Sequence, residues 1–201
     1  MASTNNLSKV PEQICGSEMD VVDERTFDSE EEALKRYLIS SERLLNVNNW
    51  GLYAGISAFQ LIDSHGVRAQ RLAEQKDYIR IDIPGPGTQA GMGYDWVRIE
   101  EIVRIDDVKE RYVLITVRPC PHPLSDKKES AHFLKDSATS TFIVRQKGNV
   151  VYAEEHGRNE LPNTSAGSFY DKGRNFFVGM AAKMGLSYPQ WSSLVKGLLA
   201  D

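Results

Sequence analysis

Hydrophobic and polar residues alternate over most of the chain between residues 56 and 155. Ile79, Ile81 and Ile83 fall on one face of the clearest segment, as in a strand with one buried face. Similar patterns cover residues 56–62, 67–72, 96–105, 112–117, 139–145 and 150–155. The connections are short and have no helical period, whereas parallel pairing requires crossovers of about a dozen residues. We therefore predict an antiparallel sheet of about six or seven strands.

Helical patterns lie on both sides of this run. Residues 28–47 have leucines at helical spacing, and Ser29 with Glu32 can form a capping box. Residues 170–184 and 190–199 show the same period, and the intervening Gly185 and Pro189 predict a break between two helices. The alternative is one C-terminal helix.

These patterns predict an α+β fold, in which a curved antiparallel sheet, a half-barrel, packs against one N-terminal and one or two C-terminal helices. Residues 1–17 are polar and unpatterned, and we expect them to form a flexible arm. A short first strand is expected near Met19. We assign residues 18–201 to a single domain.

Composition excludes several classes of function. The chain has 201 residues, 26% of them charged and 41% hydrophobic, which is typical of a soluble globular domain. Its net charge of −4 disfavours sequence-independent binding to nucleic acid. No segment reaches the roughly 20 apolar residues of a membrane span, and the N-terminus lacks the pattern of a secretory signal. We expect a cytoplasmic protein in which Cys15 and Cys120 are unpaired thiols.

Two loops invite a cofactor or metal interpretation. The glycine-rich segment 85–93 follows a strand, but Pro84 and Pro86 bracket its start and a strand follows, so it does not match a nucleotide loop. Cys120, His122 and His132 lack the paired spacing of zinc ligands. We predict no metal and no cofactor. A nucleophilic Cys120 with His156 as its base is an alternative.

The densest polar cluster follows residue 153. It comprises Glu154, Glu155, His156, Arg158, Asn159 and Glu160. As a catalytic site, it would use His156 with Glu155 or Glu160 as acid and base, and Arg158 as an anion clamp. As a structural element, Arg158 and Asn159 would pair with Glu160 and the loop backbone. We place this cluster at the end of a strand that stops at residue 155.

Aromatic residues near the glycine-rich loops provide candidate ligand contacts. Trp50, Tyr53, Tyr94 and Trp96 can line a pocket or simply fill a core. The predicted ligand-binding set is Trp50, Tyr94, Trp96, Arg158 and Asn159. The sequence contains no G-x-S-x-G, H-E-x-x-H or paired C-x-x-C motif and no Rossmann fingerprint.

The order of elements over residues 18–201 resembles the helix-grip (START-like, Bet v 1-like) fold. In that family a curved sheet wraps around a long C-terminal helix and encloses an apolar ligand cavity. This chain departs from the family in having one long helix where two short ones are expected. The stretches AEEHGRNELPNT and QWSSLVKGLL also resemble segments of conserved bacterial proteins of unknown function.

The leading functional hypothesis is non-enzymatic binding of a small apolar or amphipathic molecule within the curved sheet. One alternative is a protein–protein interaction module or homo-oligomer. The other is a small enzyme that uses His156 with Glu155 or Glu160.

Overall fold

The computed structural model describes residues 9–84, 90–107, 111–126, 128–163 and 173–201, with the side chains of the last segment described at 185 and from 187 onward. Ten strands and helices and one 3₁₀ turn follow one another in this part of the chain. They are β1 (Ser17–Thr26), α1 (Glu30–Leu45), a 3₁₀ turn (Val47–Asn49), α2 (Gly51–Ala54), β2 (Ala58–Ile62), β3 (Tyr78–Asp82), β4 (Asp95–Asp106), β5 (Arg111–Pro119), β6 (Thr139–Lys147), β7 (Val150–Glu160) and α3 (Gly173–Leu199).

The seven strands form one sheet in the order β1-β7-β6-β5-β4-β3-β2, and every neighbouring pair is antiparallel. The predicted α+β class and antiparallel sheet are therefore confirmed. β1 joins the far edge by pairing with β7, more than 120 residues later in the chain. The segment 67–72 contributes only a single bridge, between Arg68 and Ile62, instead of the possible strand.

α1 begins where the capping pattern predicts. The side chain of Ser29 accepts a hydrogen bond from the backbone N–H of Glu32 at 3.2 Å, and Glu30, Glu31 and Glu32 occupy the positive end of the helix. Its buried face includes Tyr37 and Leu44. The helix thereby covers part of one face of the sheet.

α3 is one continuous helix, so the predicted break at Gly185–Pro189 is wrong and the single-helix alternative is right. A proline inside a helix removes one backbone hydrogen bond and costs about 3 kcal/mol. Beyond Pro189, the helix buries four large side chains completely or nearly so: Leu194, Val195, Leu198 and Leu199. Burial of this apolar face outweighs the local preference for a break.

The main core lies between the sheet and the three helices. We call the helix-covered side of the sheet the inner face and the opposite side the outer face. The inner face contributes residues from all seven strands, with Val21 at one edge and Phe59 at the other. Among the described residues, no helix has both the length and the apolar character needed to cross a membrane.

Candidate functional site

The polar cluster of the sequence lies inside β7, which continues to Glu160, so the predicted strand end at residue 155 is wrong. Strand alternation then divides the cluster between the two faces of the sheet. Glu155 is opposite Val21 and Phe142, which belong to the inner core. Glu154, His156 and Arg158 lie on the outer face. The predicted pairing of His156 with Glu155 or Glu160 is therefore not found.

Asn159 interrupts the alternation of β7. Its φ of 57° lies in the left-handed region, which asparagine tolerates better than most residues. The side chain of Glu160 then folds back over Gly157, so that a Cβ at Gly157 would lie 2.7 Å from Glu160 Oε1. Only a glycine leaves room for the carboxylate in this position.

His156 is held on the outer face by two carboxylates. Its Nδ1 lies 2.6 Å from Asp20 Oδ1, and its Nε2 lies 2.9 Å from Glu154 Oε2. Glu154 also accepts a hydrogen bond from Arg145 Nε. Burial acts to lower the pKa of His156, but its hydrogen bonds to Glu154 and Asp20 outweigh burial and raise the pKa. Both ring nitrogens are engaged, which indicates a structural ion-pair network.

Arg158 also has partners within the protein. Its Nη2 lies 2.7 Å from Asp20 Oδ1, and its Nη1 donates to the backbone carbonyls of Met19 and Gly157. These contacts fasten β1 to β7. The observed geometry agrees better with a structural role for Arg158 than with a role as an anion clamp. Its side-chain partner is Asp20, whereas the structural interpretation predicted Glu160.

Asn159 holds the segment that precedes β1. Its Oδ1 accepts hydrogen bonds from the backbone N–H groups of Ile14 at 2.7 Å and Cys15 at 3.1 Å. Its Nδ2 donates to the carbonyl of Glu12 at 2.9 Å, and its backbone N–H donates to Gln13 Oε1 at 2.8 Å. Asn159 is thus a docking point for residues 12–15, and its role as a ligand contact stays a prediction.

We expect Asn159→Ala to remove the hydrogen-exchange protection of the Ile14 and Cys15 amides, because both donate to its side chain. Asn159→Gly is the matched control, since glycine keeps the left-handed backbone without the side chain. Both variants should lose this protection, and the alanine variant should also lose about 1–2 kcal/mol to backbone strain. Unchanged protection in both variants would contradict the docking role.

The inner face encloses a cavity under α3. Its walls are mostly apolar and come from β3 to β7, the segment 132–138, Trp50 just before α2, and α3. The lining includes Trp50, Ile79, Ile81, Ile83, Val97, Val117, Pro119, Phe133, Leu134, Ala138, Phe142 and Trp191, with His132, Thr139, Ser140, Glu160, Ser187 and Gln190 as polar members. The volume open to the centre of a water molecule is about 50 Å³. Since one water requires about 10–15 Å³ by this measure, the space holds three to five waters.

The predicted aromatic ligand contacts do not come together. Trp50 lines the cavity, where its ring lies 4.9 Å from that of Phe142. Tyr94 and Trp96 belong to a separate small cluster with Ile62 and Cys120. The cavity instead uses Phe142 and Trp191, which sequence reasoning missed as ligand contacts. Both residues fall on the apolar faces of predicted elements, and this position was the one sequence feature that could have indicated them as cavity-lining residues.

The candidate cysteine and histidines of the loops do not form a common site. Cys120 is 8% exposed, and burial raises its pKa to about 12. His122 Nδ1 accepts from the backbone of Leu124, and His132 Nδ1 accepts from the backbone of Leu134. In the described ranges, no three His, Cys, Asp or Glu side chains are grouped to hold a metal ion. Residues 85–89 of the glycine-rich segment lie outside the described residues.

Native protein should show one rapidly reacting thiol, from exposed Cys15, and one that reacts only on unfolding. The buried thiol of Cys120 ionises poorly, and the thiolate is the reactive form. The measurement is titration with a disulfide reagent at pH 8, before and after denaturation. Cys15→Ser should abolish the rapid phase. A rapid phase that persists in that variant would show that Cys120 is reactive.

No family model and no curated protein matches the chain. Solved structures with a similar fold include a hypothetical protein of Helicobacter pylori, at 10% identity over 89% of this chain and 87% of that chain, with a TM-score of 0.46. Ginseng major latex-like protein 151 from Panax ginseng is 13% identical over 84% of this chain and 96% of that chain, with a TM-score of 0.35. Truncated norcoclaurine synthase from Thalictrum flavum is 9% identical over 95% of this chain and 99% of that chain, with a TM-score of 0.38.

At these identities and with TM-scores below 0.5, the similarities support no conclusion about this chain. The fold itself rests on the observed sheet order and on the long C-terminal helix packed against the inner face. This arrangement confirms the helix-grip order predicted from the sequence.

Proposed function

We propose that the protein binds a small, largely apolar molecule in the cavity between the inner face of the sheet and α3. The observation that carries the proposal is the cavity itself, which has aromatic and aliphatic walls and a few polar groups at defined places. This combination is typical of small-molecule sites. Room for three to five waters, at about 30 Å³ of liquid each, corresponds to roughly 100–150 Å³, enough for one small ring.

Three aromatic side chains shape the space for such a ring. Phe142 lies between Trp50 and Trp191, with centroid distances of 4.9 and 5.1 Å. Gln190 on α3 accepts a 2.5 Å hydrogen bond from the hydroxyl of Ser57, the residue before β2. The aromatic walls favour a planar apolar ligand, and the bonded Gln190 ties α3 to the sheet across the site.

The test is titration with 2-phenylethanol, followed by methyl NMR. Methyl groups of Ile79, Ile81 and Val117 should shift, whereas Ile143 on the outer face should not. Ala138→Leu, which fills the cavity, should abolish the shifts, and Ala58→Leu at an exposed position should not. Shifts spread evenly over both faces, or none at millimolar probe, would contradict the proposal. The homo-oligomer stays a prediction.

A further inference from the structure

Two carboxyl side chains meet at the inner face next to the cavity. Glu160 lines the cavity, and Glu155 lies five residues earlier in β7 on the same face. Between them, Gly157 has no side chain, and the Glu160 carboxylate occupies the space above it. The local structure of β7 thus brings two acids to one place in a mostly apolar environment.

Glu155 is the unusual member of the pair. It is 0% exposed, and the side chain of Ser140, which lines the cavity, acts on its carboxylate, although neither oxygen receives a well-formed hydrogen bond from the residues that the structure describes. Buried polar groups are nearly always paired, so the site has unused hydrogen-bonding capacity.

The basic groups nearest to this site lie on the outer face. Arg158 and His156 are paired there with Asp20 and Glu154, and the charge of Arg158 only partly offsets the effects that raise the pKa of Glu155 and of Glu160. Burial, and then the charge of Glu160, raise the pKa of Glu155 well above its ordinary value, and burial also raises the pKa of Glu160. A cation bound between the two carboxyls would favour their charged forms and thereby displace a proton from the pair.

We propose that Glu155 and Glu160 form a subsite for the ammonium group of a compact aromatic amine, whose ring occupies the cavity. This rests on the proposed function, since the same cavity must accept the ring. An ammonium group donates three hydrogen bonds, and it compensates the negative charge that Glu155 and Glu160 can carry.

Other ligand classes fit the geometry less well. An anion would be repelled by the two carboxyls, and a calcium ion requires six to eight oxygen ligands, more than this site offers. The aromatic walls, by contrast, favour both a ring and a cation, because the face of an aromatic ring attracts positive charge. Trp50, Phe142 and Trp191 provide these faces in the cavity.

The experiment compares 2-phenylethylamine with the neutral 2-phenylethanol by calorimetry at pH 7. The amine should bind about tenfold or more tightly than the alcohol, as expected for a hydrogen bond to a charged group. Titrations in two buffers of different ionisation enthalpy should show proton release with the amine and none with the alcohol. Equal affinities, or no proton release with the amine, would overturn the subsite.

Variants of Glu155 and Glu160 test whether these residues cause the tighter amine binding and the proton release. Glu160→Gln should lower amine affinity about tenfold and leave alcohol affinity unchanged, and Glu155→Gln should abolish the proton release. Gly157→Ala should displace the Glu160 carboxylate and reproduce the effect of Glu160→Gln with no change in charge. Glu24→Gln, at an exposed position in β1, and Gly185→Ala, with open space around it, are the matched controls.

The two proposals fail in different ways. If both probes bind equally well and the Glu160 and Glu155 variants behave like wild type, the amine subsite is wrong and the apolar binding function stands. If Glu160→Gln weakens both probes equally, its role is in packing and the subsite is again wrong. If neither probe binds to folded wild-type protein, the subsite and the proposed function both fail.

Discussion

Glu154→Ala is expected to lower the free energy of unfolding by about 3–5 kcal/mol at pH 7. Glu154 is 2% exposed on the outer face and bridges Arg145 and His156, which are both buried. Removing the carboxylate takes away the shared partner of Arg145 and His156, and removing one member of a buried ion pair is strongly destabilising. Denaturant unfolding, with the slope of the transition compared between variants, measures the effect.

The control for Glu154→Ala is Glu31→Ala, which breaks the 2.7 Å pair between Glu31 and Lys35 on the exposed face of α1. Exposed pairs contribute little, so this variant should unfold almost like wild type. If both variants lost equal, small amounts, Glu154 would not hold the network together, and the outer face would again be open to a catalytic role for His156.

Glu154 and His156 contribute to the stability of the protein over different pH ranges. Burial acts to raise the pKa of Glu154, but His156 and Arg145 outweigh it and lower the pKa, so its contribution is present above pH 4.5 and is lost as the pH falls. The pKa of His156 is raised, so its contribution is complete below pH 6.5 and is lost as the pH rises through the folded value. The difference between wild type and Glu154→Ala should therefore shrink in acid.

The alternation of Ile79, Ile81 and Ile83 was enough to predict strands, and the short connections were enough to predict antiparallel pairing. Alternation within the predicted strand 150–155 already placed Glu155 on the face of Ala153, and extending that strand would have placed His156 and Arg158 on the opposite face. The contacts of Asp20 with His156 and Arg158 were out of reach, because they depend on pairing between strands 136 residues apart. The backbone switch at Asn159, which returns Glu160 to the cavity, has no signature in local composition.

Trp50 is both a predicted ligand residue and a member of the main core. Its indole N–H donates to the carbonyl of Leu44 at 3.0 Å, and its ring contacts Phe59 edge-on at 5.6 Å and Phe142 at 4.9 Å. It therefore joins the end of α1 to β2 and β6 while forming a wall of the cavity. Trp50 therefore contributes both to the stability of the protein and to the size of the cavity.

Trp50→Ala is expected to lower the free energy of unfolding by about 3–5 kcal/mol, because it removes the transfer free energy of a buried indole and leaves a cavity. Trp50→Phe should cost less, since it keeps an aromatic ring but not the hydrogen bond to Leu44. Leu52→Ala, two residues away and 77% exposed, is the control and should change stability by less than about 0.5 kcal/mol. If the folded Trp50→Phe variant bound 2-phenylethanol as tightly as wild type does, the cavity wall would not depend on the indole. If Trp50→Ala matched the control in denaturant unfolding, the tryptophan would not be the packing centre that joins α1 to the sheet.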